Sequence, residues 1–490
     1  MHTLDWVVMG LYFLLMVGIG VWSFRQIKGT KDFFTAGGRM PWWLSGISHH
    51  MSGYSAAVFV AYAGVAYTYG FTIYVWWAIP VAVAVFLGAF WIAPRWARLR
   101  QRLSIESPTE YLATRYNVPT QQLMAWSGVL LKLFDVGAKW ASIAVILNVF
   151  AGVPMTTGII VSGIISLFYI AIGGLWADAL TDFAQFVVQL IAGLAMFFIV
   201  LAKLGGFGAI FGIWDQLPPT HNDPLVGPYT IWFVLAYLLI DFLSYNGGTW
   251  NLAQRYIAAP TGTEARRAAY LSAALYLIWP LILFFPMWAA PIFYPNLEDP
   301  NQSYSIMAME LLPPGIVGLV LASMFAHTMA MTTSDANAIT SVVTRDILPR
   351  LFHGLRDLNS KASLVAARVT IVVFTALTLV VAVNQQNFGG ILNLLITWFG
   401  GLVGPVSIPM LLGLLPIFKR SGSTAAIVSI IGGLLAFGYV NYMLEDPSTA
   451  TKVATPVLVS AVLYILIGLL TPKSRVPKEV DNLVDSLNRD

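Results

Sequence analysis

Long apolar runs recur from one end of this chain to the other, parted by short segments where charge, Pro and Asn return. Each run is roughly 20 residues, the length a helix needs to cross the hydrocarbon core of a bilayer. Inside lipid only helices and closed barrels satisfy their own backbone hydrogen bonds, and the strict alternation of barrel strands is missing. The pattern therefore predicts an all-α polytopic membrane protein with about 13 transmembrane helices. The spans fall near 5–24, 41–69, 72–94, 122–150, 154–174, 180–203, 229–252, 268–293, 314–344, 364–384, 389–416, 424–443 and 453–471. The first run follows Asp5 without a basic leader and reads as a retained span.

Basic residues test this count, because Lys and Arg stay on the cytoplasmic side and one missed span inverts every later loop. With the N-terminus outside and the C-terminus in the cytoplasm, 23 of the 27 Lys and Arg residues fall on inner segments. The outer loops 205–228 and 294–313 contain neither. A multi-pass protein of a cell membrane, inner or plasma, is the expected setting.

Composition narrows the functions. The chain is 58% hydrophobic and 10% charged, against about 25% charged in soluble domains. Its net charge of +4 is scattered, so no nucleic-acid footprint forms. The absence of cysteine excludes thiol catalysis and zinc–thiolate sites. No His-Glu-x-x-His, Walker loop or Gly-x-Ser-x-Gly occurs, which points away from an enzyme, an organic cofactor and ATP-driven pumping.

Two spans carry polar, glycine-bearing interruptions, and irregular backbone at mid-membrane belongs where it lines a cavity. They are His49-His50-Met51-Ser52-Gly53-Tyr54-Ser55 in the second span and Ser244-Tyr245-Asn246-Gly247-Gly248-Thr249-Trp250-Asn251 in the seventh. Close helix packing on small residues is the alternative reading. Five spans separate them, as in two inverted halves that each open with a broken helix. The implied division is 1–39 (first span and cytoplasmic loop), 40–204 and 205–416 (two five-span repeats), and 417–490 (two last spans and tail). Gly53, Ser55, Gly247, Gly248, Thr249 and Asn251 become candidate substrate contacts, with Trp76 and Trp398 as aromatic wall; interfacial packing is the other reading of the tryptophans.

Ionisable residues inside spans are costly and mark function or structural pairing. Asp135 and Lys139, four apart on one helical face, are expected to pair, as a structural bridge or a coupling element. Lys132 is expected to snorkel to the inner surface. Asp241 lies near the second break and is a candidate for the cavity wall.

The run Tyr169-Ile170-Ala171-Ile172-Gly173-Gly174-Leu175-Trp176-Ala177, with Thr181-Asp182 and Gln185, resembles the signature of the sodium/solute symporter family. Phe33-Phe34, Gly37-Gly38-Arg39, Ser107-Pro108-Thr109-Glu110, Gln254-Arg255-Tyr256 and Thr344-Arg345-Asp346-Ile347 are similar to further family motifs. The resemblance implies the leucine-transporter fold, a five-plus-five inverted repeat, and a cation site using backbone oxygens of Met51 and Tyr54. At the matching ninth-span positions stand His327, Ala330 and Met331, where relatives carry a small residue and two hydroxyls. A second cation site of some relatives maps to Asp182, Thr333 and Ser334, which leaves sodium possible there. His327, Asp335 and Asp182 form an alternative, a proton relay, with a hydrogen-bonded core histidine as the plainer reading of His327.

The expected function is a secondary active transporter that carries a small organic solute by alternating access, coupled to sodium. A proton-coupled or uncoupled carrier, suggested by Ala330 and Met331, and a non-transporting solute sensor stay open. The expected partners are the solute, a cation and the lipid bilayer.

Overall fold

The computed structural model describes residues 1–24, 29–355, 357, 361–388 and 391–488; within these, the side chains of 24, 165, 168–173, 388, 392–400, 402 and 475 are outside the description. All thirteen apolar runs are helical. Among the described residues, nine are long and apolar enough to cross a membrane unaided: Thr3–Ser23, Tyr74–Trp91, Gly174–Lys203, Ile231–Gly248, Gly262–Phe293, Ile316–Leu351, Lys361–Val383, Ser423–Tyr442 and Thr449–Leu470. Four have particular reasons to differ. The second span is split into Trp42–Met51 and Val58–Tyr69. Val118–Ala151, the fourth, carries Lys132, Asp135 and Lys139 in its middle. The fifth, 155–173, turns away from it by 115°. Ile391–Leu412, the eleventh, contains Pro405 and Pro409.

One boundary differs from expectation. No loop separates the fifth and sixth spans; the helix runs on and bends sharply at Gly174, whose φ of 55° and ψ of −166° suit glycine alone. A Cβ there would lie 2.9 Å from the Phe33 carbonyl oxygen, so the bend also seats the loop that follows the first span.

Side-chain chemistry decides which spans are central. In the ninth span, rich in Thr328, Thr332, Thr333 and Ser334, 89% of the most apolar window is buried, against 28% in the first and tenth. Hydroxyls and charges need protein partners, whereas Leu11 and Leu14, 61% and 69% exposed, suit lipid. The first span is pinned to the ninth by Asp5, whose Oδ1 accepts from the amides of Gly315 (2.6 Å) and Gly318 (3.0 Å) at that helix's N-terminus.

Two family-like motifs meet at one end of the helices. Asp346 accepts from Ser107, from Thr109 at 2.6 Å and from Gln121 at 2.9 Å, while Arg345 pairs with Glu106 and Glu110 at 3.3 and 3.1 Å. The loop before the fourth span is thus clamped to the end of the ninth.

Candidate functional site

Both interruptions are real breaks. The second span stops at Met51 and resumes with a π-helical turn over Val58–Tyr62. In the seventh, the π-helical turn Ser244–Gly248 ends where Gly247 (φ 116°) and Trp250 (φ 68°) leave helical geometry, and Asn251–Ile257 continues beyond. Freed backbone groups at such depth must find partners. Tyr245 Oη donates to the Gly53 carbonyl oxygen at 2.7 Å and Asn251 Nδ2 to that of Ser52 at 3.1 Å, so the break in the seventh span supplies donors for the break in the second.

Between the breaks lies a cavity of ≈ 60 Å³. The second span contributes Gly53, Tyr54, Ser55, Ala57, Val58 and Tyr62, the seventh Tyr237, Asp241 and Tyr245, the fourth Asp135 and Lys139, and the ninth Met331. Every one of these residues is buried.

A buried square of ion pairs borders it. Lys132 Nζ bonds to Asp135 at 3.0 Å and to Asp335 at 2.6 Å; Lys139 Nζ bonds to the same two carboxylates at 2.9 and 2.6 Å. Two cations and two anions alternate round the ring, which offsets the desolvation of each. The Asp135–Lys139 pair therefore forms as expected. Lys132, however, does not snorkel: it is 1% exposed and turned inward to Asp335.

A second polar cluster joins the second, sixth, seventh and ninth spans. Arg255 Nη2 reaches Asp178 (2.5 Å), Ser52 (3.0 Å), Asp182 (3.4 Å) and Ser334. Thr333 donates to Asp178 at 2.5 Å, and Asp182 Oδ2 accepts from Ser48 at 2.5 Å and Ser52 at 3.2 Å. Asp182, Thr333 and Ser334 are thus brought together, around a guanidinium. The neighbours of Arg255 in sequence point elsewhere, Gln254 to Ser341 at 3.2 Å and Tyr256 to within 3.0 Å of His49 Nε2. Asp178 and Ser48 were missed in sequence, and Ser52 was read only as part of the break; Asp178 lies one helical turn before Asp182, a spacing that places both on one face.

Other expectations are corrected. His327 and Asp335 make no direct relay: eight residues set them about 12 Å apart along the helix. His327 Nδ1 lies 2.7 Å from the Ser323 carbonyl oxygen, its ring packs on Tyr54 and Phe59, and Asp335 faces the lysines. Ala330 and Met51 pack together in an apolar cluster with Phe186. Trp76 is not in the cavity wall; it stacks on Tyr229 at 5.2 Å and against Phe233 and Tyr237. Gly247 and Gly248 are also outside the wall: their missing side chains admit Trp96 and Ser407. Thr249 turns to the Ser244 carbonyl oxygen, and Asn251 serves the Ser52 carbonyl. The side chain of Trp398 falls outside the described residues.

Known proteins share this plan. A computed superposition on a sodium-coupled sialic acid symporter in its substrate-bound outward-open state gives a TM-score of 0.84 at 21% identity, covering 96% of this chain and 98% of that one. The nucleobase-cation-symport-1 transporter Mhp1 follows at 0.56 and 16%, covering 92% and 98%. These likenesses establish the leucine-transporter fold. In sequence, the human sodium/iodide cotransporter is 26% identical over 96% of this chain and 75% of its own length. A sodium/sialic acid symporter of Proteus mirabilis is 25% identical over 88% of each. The model of the sodium:solute symporter family matches residues 33–440. A multi-pass membrane transporter rather than an enzyme, this chain belongs to the sodium:solute symporter family.

Proposed function

We propose that this protein carries a small organic solute across the membrane by alternating access, with the solute held in the cavity between the two breaks. The observation that supports this is the cavity walled by Gly53 and Ser55 on one broken helix and by Tyr245 on the other. In this reading residues 40–204 and 205–416 are the two inverted repeats that move against each other, the chain lies in a plasma or inner membrane, and its N-terminus is outside. The chain lacks cysteine, so single cysteines placed in the loops 205–228 and 95–117 report sidedness by impermeant labelling. Labelling of the second loop alone in intact cells overturns the orientation. Uptake into proteoliposomes tests the carrier; binding with no flux in either direction favours a sensor.

Sodium is the coupling ion that family membership supports. Asp178 and Asp182 face one guanidinium, which leaves one negative charge over, and Asp182 Oδ1 has no hydrogen-bond partner. A cation seated on Asp182 balances the cluster. Ala330 and Met331 bring no oxygen to the other family site, and this favours a second reading in which a proton serves or no ion is coupled. Thermal stability of wild type and Asp182→Ala in sodium and in potassium, between pH 5 and 8, separates them. Sodium stabilisation that vanishes in Asp182→Ala supports sodium; a response to pH alone supports the proton.

A further inference from the structure

The cavity wall holds three charged side chains, Asp135, Lys139 and Asp241. Asp135 and Lys139 belong to the closed square, whose charges cancel. Asp241 stands outside it. The residue is 1% exposed, its Oδ2 has no hydrogen-bond partner, and no ion pair among the described residues reaches the carboxylate. A buried charge without a counter-charge is among the costliest arrangements in a protein interior, and more so within a membrane.

The surroundings of Asp241 tell which counter-charge fits. Tyr237 and Tyr245 lie four residues before and after it, so all three share one face of the seventh span, and all three line the cavity. Tyr54 and Tyr62 complete the wall from the second span. Tyrosine rings attract a cation placed over their faces, most strongly where water is excluded. An anion meets repulsion from Asp241, and a neutral polyol brings it hydrogen bonds but no counter-charge.

We propose that Asp241, within the tyrosine wall, is the counter-ion of a substrate bearing a positively charged nitrogen, an amine or quaternary ammonium. This rests on the carrier reading and names its substrate class.

The test uses the purified full-length protein and binding by thermal shift. The probes are choline, its neutral carbon isostere 3,3-dimethylbutanol, ethanolamine, glycine betaine, sialic acid and iodide, with potassium chloride as the ionic-strength control. Stabilisation by one or more of the nitrogen cations, with the neutral isostere about 30-fold weaker or more, supports the proposal. Asp241→Asn should lose that discrimination by a similar factor while keeping its elution profile and its unliganded melting transition; Asp241→Glu serves as a charge-retaining second variant if Asn does not fold. Equal binding of the isostere, unchanged cation binding in Asp241→Asn, binding of the anions alone, or no response to any cationic nitrogen overturns it. Flux of the bound probe in proteoliposomes is read separately: Asp241-dependent binding without flux supports the site and removes the carrier reading, whereas flux of a neutral or anionic solute that Asp241→Asn leaves unchanged removes the site and keeps the carrier.

Discussion

Asn251 hydrogen-bonds to the carbonyl oxygen of Ser52 at 3.1 Å, joining the two broken helices across 199 positions of sequence. The carbonyl is one that an unbroken helix would have used internally, so the side chain repairs a defect of the other half. Asn251→Leu leaves a buried acceptor unpaired and should cost about 1–3 kcal/mol. Thermal unfolding in detergent reads the loss, and an Asn251→Gln variant that regains nothing confirms that reach matters as well as chemistry.

The ion-pair square makes a prediction of strong coupling. Removing one member, as in Lys139→Met, leaves an uncompensated buried charge and should destabilise by about 3–5 kcal/mol. Lys139→Met combined with Asp335→Leu should cost less than the sum of the singles, with a coupling of about 0.5–3 kcal/mol. Additive singles, measured as a double-mutant cycle, would mean the four groups are independent.

Close helix approach predicts which glycines tolerate a methyl. At Gly248 an added Cβ lies 2.2 Å from Ser407 Oγ and 2.5 Å from the Leu243 carbonyl oxygen, and at Gly18 it meets nothing within 4 Å. Gly248→Ala should lower stability by about 1–3 kcal/mol. Gly18→Ala should be neutral or slightly stabilising under the same melt.

Glu106, on a segment outside the spans, supplies a pH dependence. Burial raises its pKa above the ordinary 4.5, with the Arg345 guanidinium opposing. A carboxylate that holds its proton more tightly when folded makes the native state bind more protons than the unfolded one, so its share of stability falls as pH rises from 4.5 through the raised native value. Wild type should therefore lose stability with rising pH across that interval more steeply than Glu106→Gln. Matching slopes in unfolding midpoints taken at several pH values count against burial as the controlling effect.

Much of the site was legible residue by residue. The two Gly- and Ser-bearing stretches announce the breaks because polar backbone at mid-membrane has few other uses, and Asp135 with Lys139 announces a pair because helical spacing brings them together. Trp76 misled for the converse reason: an aromatic residue near a break looks the same in sequence whether it lines a cavity or stacks on Tyr229. His327 and Asp335 suggested a relay because both are ionisable on one helix, yet two turns separate them and each has its own neighbours.

What the sequence by itself determined is the solvent of each segment: the length of the apolar runs, the sidedness expected from Lys and Arg, and the places where a helix must break, all of which follow from local hydropathy and backbone hydrogen bonding. The meeting of Arg255 with Asp178 and Asp182 across more than seventy residues was decided only by the tertiary structure. So was the closing of Lys132 and Lys139 onto Asp335, which leaves Asp241 without a counter-charge. The physical reason is that charge compensation in a low-dielectric interior depends on distance in space, and distance in space between helices is set by packing rather than by spacing along the chain.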